Sequence, residues 1–393
     1  MRIRDICAGI SDGSHNPPQS VEVSDCLMLS SKNVFDDEIT FDDPRYLLPV
    51  DFEQEDKRTK IKPGDVLLTI VGTVGRTAVV SETMPSFTVQ RSVAVLHPKV
   101  EICNSRYLMY ALQGKRGYIE NHAKGVAQKG IYLKEVANIN LRVPSLKEQI
   151  SIVECLDKVT ALIRVRKQEI QKFDELIKAR FVEMFGDPIS NPLGWPVQRL
   201  KEISVLITNG TTPKGGRENY VSEGILFLRS QNVWRNRIDF EDVVYIDRET
   251  HKNMNKSSVH NKDILITKTG RINTEKSSLG RAALFYGVDD SANINGHVYL
   301  VRLNSTTVPE YVAAILTGEA YRKYIRKVCV GGIDKRQINL DQVENFPIIL
   351  PPIELQKQYA VLAAQIDKSK IAVQKSLDKT QQLFDSLMQK YFG

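Results

Sequence analysis

The sequence contains one series of segments twice, and this repetition limits the possible folds more than any other feature. Phe185-Gly186 and Phe392-Gly393 lie 207 positions apart, and each pair closes a long segment rich in charged residues. Other identical residues recur at the same offset: Leu133 and Leu340, Val136 and Val343, Asn138 and Asn345, Pro144 and Pro351, Gln149 and Gln356, Lys172 and Lys379, and Leu176 and Leu383. The chain is therefore expected to contain two copies of one structural unit.

Three earlier segments recur in the same order. CLMLSSKNVFDDEI from Cys26 aligns with ILFLRSQNVWRNRI from Ile225, and ISDGSHNPP from Ile10 aligns with ITNGTTPKG from Ile207. GDVLLTIVGTVGRTAVV, which begins at residue 64, aligns with a segment that begins at residue 262 and carries an insertion in its loop. Each copy is thus predicted to be a globular unit of about 140 residues followed by one long helix.

The globular part of each copy has the signals of a mixed α/β fold. Short runs of β-branched and aliphatic residues alternate with turns of Gly, Pro and Asn, which is typical of strands. Strands are expected at 66–71, 92–96, 264–267 and 297–303, and helices at 105–112 and 309–316. The predicted fold class is α+β.

The segment that ends each copy has the pattern of a long helix. Pro144 precedes Ser145 and Glu148, which have the spacing of an S-x-x-E capping box. Apolar residues then recur at steps of three and four, the spacing of a coiled-coil seam. The predicted seam residues are Ile152, Leu156, Val159, Ile163, Ile170, Phe173 and Ile177 in the first helix, and Leu355, Tyr359, Leu362, Ile366, Val373, Thr380, Leu387 and Tyr391 in the second.

These elements predict two mixed α/β domains that alternate with two long helices. Each helix would have about 40 residues and a length of roughly 60 Å. Antiparallel pairing as a coiled coil would place the domains at opposite ends, related by a pseudo-twofold axis. Packing inside one helical domain is the alternative, but it does not explain the alternation. The expected boundaries are 1–143 and 187–350 for the domains, and 144–186 and 351–393 for the helices.

The composition is that of a globular protein with a modest excess of positive charge. The formal net charge is +7 and the isoelectric point is near 9.0, which suits an anionic partner without identifying one. The five cysteines are scattered singly and the six histidines lack partners at ligand spacing, so no metal site is predicted. The longest apolar run, VLLTIVGTV, is too short to span a membrane, and we expect a cytoplasmic protein.

Motifs that could support catalysis are weak. The tripeptide NPP at 16–18 is similar to a motif of amino-methyltransferases, but Gln19 stands where an aromatic residue would stack on the base. The G-x-x-G segment at 72–75 lacks the G-K-[ST] ending of a nucleotide-binding P-loop. We therefore expect a protein that has no catalytic residues and binds no metal or cofactor itself.

Polar and basic side chains in the turns of both copies are the candidate binding residues. Arg and Lys suit guanine edges and phosphates, whereas Asn and Gln suit adenine edges. Aligned positions differ, for example His15 against Thr212, which fits one scaffold that recognises two sequences. The candidates are Ser14, His15, Ser31, Lys32, Asn33, Arg76, Arg91, Lys124, Gln128 and Lys129 in the first copy, and Thr211, Lys214, Arg229, Gln231, Asn232, Arg235, Lys268, Arg271, Arg281, Asn295, Lys335 and Arg336 in the second.

Four motifs together resemble those of one known family. They are the helix starts VPSLKEQISIVECLDKV and LPPIELQKQYAVLAAQI, the helix end LIKARFVEMFGDP, and GWP at 194–196. In this combination the chain resembles, over its whole length, the specificity subunit of type I restriction-modification systems. Two positions depart from the usual pattern: Ser145 replaces a second Pro, and Leu355 stands where Glu is common.

The resemblance implies that each globular domain is a target-recognition domain for one half of a bipartite, asymmetric DNA sequence. The helix pair would set the unread gap and bind two modification subunits, which supply S-adenosylmethionine and the adenine methyltransferase site. A restriction subunit that uses ATP and Mg would join them. The alternatives are a coiled-coil scaffold with two protein-binding heads, which predicts no sequence-selective DNA binding, and a stand-alone methyltransferase, which predicts methyl transfer by this chain alone.

Overall fold

A computed structural model describes residues 1–125, 129–213, 215–272, 274, 277–332 and 334–393. The chain divides into two compact units. Unit 1 comprises Met1–Gln168 and Gln374–Gly393, and unit 2 comprises Glu169–Val373. Because both long helices begin in one unit and end in the other, each unit contains a part of both helices.

Unit 1 combines short strands with helices of very different length. Its strands are β1 (Cys7–Asp12), β2 (Leu27–Leu29), β3 (Val34–Phe35), β4 (Glu38–Ile39), β5 (Arg45–Tyr46), β6 (Val66–Thr69), β7 (Thr77–Val79), β8 (Phe87–Val89) and β9 (Val93–Pro98). Its helices are α1 (Ile3–Ile6), α2 (Pro49–Thr59), α3 (Ser105–Gly114), α4 (Arg116–His122), α5 (Leu133–Ala137) and the first part of α6 (Leu146–Phe185).

Unit 2 has the same kinds of element. Its strands are β10 (Val197–Arg199), β11 (Ser204–Asn209), β12 (Ile225–Leu228), β13 (Val233–Trp234), β14 (Arg237–Ile238), β15 (Val244–Ile246), β16 (Ser258–Val259), β17 (Ile264–Thr267), β18 (Thr269–Gly270), β19 (Ala282–Leu284), β20 (Ala292–Ile294), β21 (Val298–Leu303), β22 (Val330–Gly331), β23 (Arg336–Gln337) and β24 (Pro347–Ile349). Its helices are the last part of α6, α7 (Arg248–Asn253), α8 (Pro309–Thr317), α9 (Glu319–Val328), α10 (Leu340–Glu344) and the first part of α11 (Ile353–Phe392), with short 3₁₀ turns at Leu200–Ile203, Gly216–Asn219 and Asn255–Ser257. The strands and helices predicted from sequence are confirmed, with ends shifted by at most two residues.

Two sheets form the body of unit 1. The first has the order β1-β9-β6-β7 with antiparallel neighbours. The second has the order β5-β2-β8, in which β2 and β8 are parallel, and β3 and β4 form a separate hairpin. Successive side chains of β6 point to opposite faces of the sheet. All four are buried because both faces are covered. Val66 and Leu68 pack in the same core as helix α3, whereas Leu67 packs with Leu29 and Val89 of the second sheet.

The sheets of unit 2 have matching strand orders. The first sheet has the order β11-β21-β17-β19 with antiparallel neighbours. The second has the order β15-β12-β20-β16, in which β12 and β20 are parallel, and β13 and β14 form a hairpin. Unit 2 adds a small sheet of β18, β23 and β22 beside the insertion that the sequence shows in this copy.

Aromatic residues attach the long helices to each domain. In unit 1, the Phe392 ring at the end of α11 lies 5.3 Å from the Tyr107 ring on α3, measured between centroids. In unit 2, the Phe185 ring at the end of α6 lies 4.8 Å from Tyr311 on α8 and 5.6 Å from Tyr359 on α11. The end of one long helix is therefore buried against the domain core in each unit.

Two buried glutamines connect the starts of the long helices to the domains. The Gln149 side chain accepts a hydrogen bond from the Asn104 amide (2.8 Å) and donates to the Ile102 (2.9 Å) and Pro144 (2.8 Å) carbonyls. Gln356 in α11 accepts a hydrogen bond from the Val308 amide at the start of α8 (3.1 Å) and donates to the Pro351 carbonyl (2.9 Å). These are the glutamines that recur at an offset of 207 positions.

The long helices begin close to their predicted starts. Ser145 Oγ accepts a hydrogen bond from the Glu148 amide (3.3 Å), and the Glu148 carboxylate binds Arg142 (2.6 Å). The predicted seam residues are all at least half-buried. Ile152, Leu156, Val159, Ile163, Tyr359, Ile366 and Thr380 are buried, and the others are intermediate.

Candidate nucleic-acid interface

In unit 1, loops that carry predicted binding residues meet at one end of the first sheet. Because β1, β9 and β6 are antiparallel neighbours, the end of β1, the start of β9 and the end of β6 lie together. The Ser14 amide donates to the Val89 carbonyl (3.0 Å), and the Arg91 amide donates to the Ser14 carbonyl (2.9 Å). The Gly72 amide donates to the Lys129 carbonyl (3.0 Å). Turn residues that are distant in sequence are thereby brought together at one end of the first sheet.

In each unit, the loop that follows the first strand of the first sheet begins where its backbone passes very close to another strand. A Cβ atom at Gly13 would overlap the Val89 carbonyl, and one at Gly210 would overlap the Ile294 carbonyl. Only glycine fits such a crossing. The loops that begin at Ser14 and Thr211 therefore leave the two sheets at equivalent places.

The exposed candidates in unit 1 differ in how firmly they are held. The side chains of Arg91, Lys124 and Lys129 are exposed. His15 contacts Asp12 (2.8 Å), and the Lys32 ammonium forms a hydrogen-bonded ion pair with Asp43, which lowers the pKa of that carboxyl group. Ser31 is half-buried and its amide donates to Ser92 Oγ (3.0 Å).

The corresponding end of the first sheet in unit 2 brings together a second set. The Gly210 amide donates to the Val298 carbonyl (3.0 Å), and the Lys268 amide donates to the His297 carbonyl (2.9 Å). Asn295 Oδ1 accepts from the His297 amide (3.1 Å). Lys335 and Arg336 lie in or beside the β22-β23 hairpin, which pairs with β18. Thr211, Arg271 and Lys335 are exposed.

The side chains of three predicted binding residues are buried. Asn33 is 1% exposed, and its amide group binds the Ser30 amide (3.1 Å) and the Asp42 carbonyl (2.9 Å). Asn232 is also 1% exposed and makes the equivalent contacts within its own turn. Ser14 is 5% exposed. The Asn33 and Asn232 side chains thus stabilise their own turns, and none of the three side chains is exposed at the surface.

Two further candidates in unit 2, Arg229 and Gln231, contact Asp242 in the turn that follows the β13-β14 hairpin. Arg229 donates to the Asp242 carbonyl (2.8 Å) and forms an ion pair with its carboxylate (3.2 Å). The Gln231 amide also binds the Asp242 carboxylate. The Arg229 side chain is only 15% exposed, so it contributes mainly to the shape of this loop.

Each unit stacks an arginine on an aromatic residue of its hairpin. The Arg76 guanidinium lies 4.9 Å from the Phe35 ring centroid in unit 1. Arg281, the aligned residue in unit 2, lies 3.9 Å from the Trp234 ring centroid, and Arg237 lies 5.4 Å from the same ring. Such stacking holds a guanidinium group in a fixed plane.

The tips of the two hairpins carry opposite charge. In unit 1, Asp36 binds Arg116 on α4. In unit 2 the aligned residue is Arg235, whose guanidinium lies 3.7 Å from the Glu319 carboxylate. Burial and then the nearby Arg322 lower the pKa of Arg235, and burial followed by Arg235 lowers that of Arg281. Several guanidinium groups therefore share one region of unit 2.

These arginines line a cleft of about 390 Å³ in unit 2. The lining includes Trp234, Arg235, Arg281, Thr317 and Arg322. Arg235 and Arg281 were predicted as binding residues from the sequence, whereas Trp234 and Arg322 were not. The aligned hairpin aromatics were the available signal for Trp234. Arg322 lies on helix α9, and only the fold brings it to the cleft.

Two of the candidate residues, Gln128 and Lys214, lie outside the described residues. Within the described part of the chain, no group of His, Cys, Asp or Glu side chains is placed to hold a metal ion. No helix of that part is long and apolar enough to cross a membrane. The five cysteines are free thiols, and burial raises the pKa of Cys7 and Cys103 to about 12.

Both units are mixed α/β domains that carry exposed basic side chains in the loops at one end of the first sheet. A family model described as the type I restriction modification DNA specificity domain matches residues 46–173 and 192–383. The chain belongs to this family of type I restriction-modification specificity subunits.

Individual relatives agree with this assignment. The chain is 23% identical over 330 residues to the type I restriction enzyme MjaVIII specificity subunit of Methanocaldococcus jannaschii, which covers 79% of this chain and 74% of the relative. It is 32% identical over 107 residues to the EcoBI specificity subunit of Escherichia coli, which covers 27% of this chain and 22% of the relative.

Solved structures support the fold. The S subunit of a type I restriction-modification system from M. genitalium aligns with a TM-score of 0.60 and 13% identity, covering 100% of this chain and 95% of the other. A chain from a structure that describes complex assembly and conformational transition of the type I R-M system aligns with a TM-score of 0.56 and 15% identity, covering 100% and 96%. At these identities the likeness concerns the fold alone.

Proposed function

We propose that this specificity subunit reads a bipartite, asymmetric DNA sequence, with one target-recognition domain for each half. One observation carries the proposal: the same loop-bearing sheet end occurs in both units, but with different side chains. Aligned positions carry Asp36 and Arg235, or Arg91 and Gly296. Because base edges differ in their donors and acceptors, different side chains on one scaffold select different sequences.

We propose that the two long helices form an antiparallel coiled coil and relate the domains by a pseudo-twofold axis. The burial of the seam residues supports this arrangement. Within unit 2, Asp174 binds Lys370, and the Phe181 ring lies 5.4 Å from that of Tyr359. The second contact lies at a higher residue number in α6 and at a lower residue number in α11, which is the order expected for antiparallel helices. Helices fixed in this way would act as a ruler for the gap between the half-sites. The proposed boundaries remain 1–143 and 187–350 for the domains.

Modification subunits are the proposed partners of the helices. Apolar side chains outside the seam remain between 44% and 58% exposed, so they are available for contact with another protein. They are Ile150, Leu162, Val165, Leu176 and Val182 on α6, and Val361, Ile371 and Leu383 on α11. We propose that two modification subunits cover these residues, and that restriction subunits join the complex in the cytoplasm.

In this proposal the chain contributes selectivity and no catalytic group. S-adenosylmethionine would bind to the modification subunits, and ATP with Mg to the restriction subunits. The DNA affinity of the complex would come largely from phosphate contacts of lysines and arginines, with discrimination added by loop contacts to base edges.

The test is methylome sequencing of cells that express the modification subunit with or without this chain. We expect N6-methyladenine at a two-part motif with one fixed gap, and only when both proteins are present. Purified chain without the modification subunit should transfer no methyl groups. Methylation that does not depend on this chain, or a motif without two separated parts, would contradict the proposal.

A further inference from the structure

A network of charged groups in unit 1 joins the hairpin, helix α3 and helix α6. Arg106 on α3 is its centre. Its guanidinium binds both oxygens of Asp157 on α6, with three contacts of 2.7, 2.8 and 3.0 Å. It also binds both oxygens of Asp37 in the β3-β4 hairpin at 2.8 and 3.2 Å. One planar group thus holds two carboxylates from different elements.

Neighbouring side chains reinforce this Arg106 network. The Tyr110 hydroxyl donates to Asp157 Oδ1 (2.7 Å) and lies 3.3 Å from Thr160 Oγ1. Arg164, one turn further along α6, donates to Asp37 Oδ2 (3.3 Å). Asp37 is 13% exposed as a side chain and has a φ of 60°. Burial lowers the pKa of Arg106, but the hydrogen bonds to Asp157 and Asp37 outweigh this effect and raise it.

The second copy lacks this network at equivalent positions. Tyr107 and Tyr311 are equivalent, because each hydroxyl donates to a backbone carbonyl shortly before a long helix, at 2.8 and 2.9 Å. By the same alignment, Arg106 corresponds to Glu310. Ala314, Ala364 and Asn236 stand in the places of Tyr110, Asp157 and Asp37.

Aromatic contacts attach the long helices in both units, but unit 2 has the larger aromatic cluster and, at the equivalent described positions, no counterpart of the Arg106 network. Phe181, Phe185, Tyr311 and Tyr359 form a continuous aromatic cluster, with centroid distances from 4.8 to 6.0 Å. Glu310 instead forms an ion pair with Lys262 (2.8 Å). The polar network of unit 1 is therefore not a general requirement of the fold. It is a feature of one recognition domain.

We propose that Arg106 is a positioning residue, which fixes the direction of the first recognition domain on α6 and thereby the length of the gap that the complex accepts. This inference rests on the proposed function. The carboxylates of Asp37 and Asp157 are held in one plane by the guanidinium, so the hairpin cannot rotate against α6 without breaking bidentate contacts. Helix α6 continues into unit 2. A rotation of the first recognition domain about α6 would therefore change where this domain contacts the DNA relative to the second half-site.

The sharpest variant is Asp37→Asn. It removes one carboxylate and leaves Arg106 bound to Asp157. Asn tolerates a positive φ, and Asn236 has a φ of 58° at the aligned turn of unit 2, so the hairpin should keep its conformation. Arg106→Gln is the second variant, and it removes both contacts. Arg142→Gln is the matched control, because Arg142 forms a more exposed ion pair with Glu148 near the same helix.

The readout is the methylome of cells that express each variant with the modification subunit. For Asp37→Asn and Arg106→Gln we expect about a tenfold loss of methylation at the native gap. We also expect new methylated sites whose gap differs by about one base pair, or 3.4 Å. Both half-site sequences should stay the same. Arg142→Gln should keep the native gap alone.

The outcomes separate the two proposals. If the wild-type chain directs methylation to no bipartite motif, the proposed function fails. If the wild type does so but both network variants keep a single native gap, at any level of methylation, the positioning role of Arg106 is wrong. A lower melting temperature without a change in gap would likewise mean that the network only stabilises the domain.

Discussion

At the scale of single residues, the two buried glutamines show how the repeat is built. Gln149 and Gln356 are almost fully buried, and each carries hydrogen bonds between a helix start and its domain. A buried amide is stable only when its donors and acceptors are used. The recurrence of glutamine at these two positions is therefore explained by its hydrogen bonds between the domain and the helix start, and not by the seam.

Replacement of Gln149 by Ala should destabilise the protein by about 3 kcal/mol, because it leaves buried backbone groups without partners. Urea unfolding of the full chain would measure this loss. Gln168→Ala, on an exposed site of the same helix, should change the free energy of unfolding by less than about 0.5 kcal/mol. Equal losses for both variants would contradict the role given to Gln149.

Arg235 allows a test of the arginine-lined cleft at the same scale. Arg235→Gln in the assembled complex should weaken DNA binding about threefold at low salt and reduce the slope of log affinity against log salt by about one. Fluorescence anisotropy at several salt concentrations would show both effects. Arg180→Gln is the control, because the side chains of Arg180 and Arg235 are each 43% exposed. An unchanged slope for Arg235→Gln would remove the cleft from the DNA interface.

At the scale of elements, the long helices combine two apolar surfaces. The seam is buried or half-buried, whereas a second set of apolar side chains on α6 and α11 remains exposed. In the proposed function, the first set pairs the two helices and the second set binds the modification subunits. The 40-residue length of both helices suits a rigid spacer.

Deletion of one heptad from both long helices should shorten the recognised gap by about three base pairs, since about 10 Å of helix is removed against 3.4 Å per base pair. Methylome sequencing gives the gap directly. A deletion of seven residues keeps the seam in register, so the helices should still pair. An unchanged gap would contradict the ruler.

At the scale of the whole molecule, the first sheets of the two units have the same strand order, but the loops of the two units differ. The order β1-β9-β6-β7 in unit 1 matches β11-β21-β17-β19 in unit 2, and each second sheet contains one parallel pair. The cores thus follow one plan, and the side chains at the sheet ends carry the differences. This separation would let each domain change its target without disturbing the other.

Exchange of residues 197–335 for the corresponding domain of a relative should change one half-site and leave the other intact. The reason is that this segment contains the sheet-end loops of unit 2 and none of those of unit 1. The methylated motif of the hybrid complex is the measurement. Changes in both halves would show that the domains do not read independently.

The sequence by itself determined the positions of the long helices and the buried positions along them, because these depend on local spacing. Helical periodicity is visible along the chain, and Ile152, Leu156 and Val159 are at the buried positions that it predicts. The segments aligned from Ile10 and Ile207 also contain the two glycines that directly follow β1 and β11, although the sequence did not predict these strands.

Only the tertiary structure decided which polar residues of the turns are available to a ligand. Asn33 and Asn232 are of a residue type and in turns that favour ligand binding, but the fold buries both side chains within their own turns. Arg106 had no signal in the sequence, since Asp37 and Asp157 lie 69 and 51 positions away. Burial and ion pairing of this kind depend on long-range strand and helix packing, which no local pattern contains.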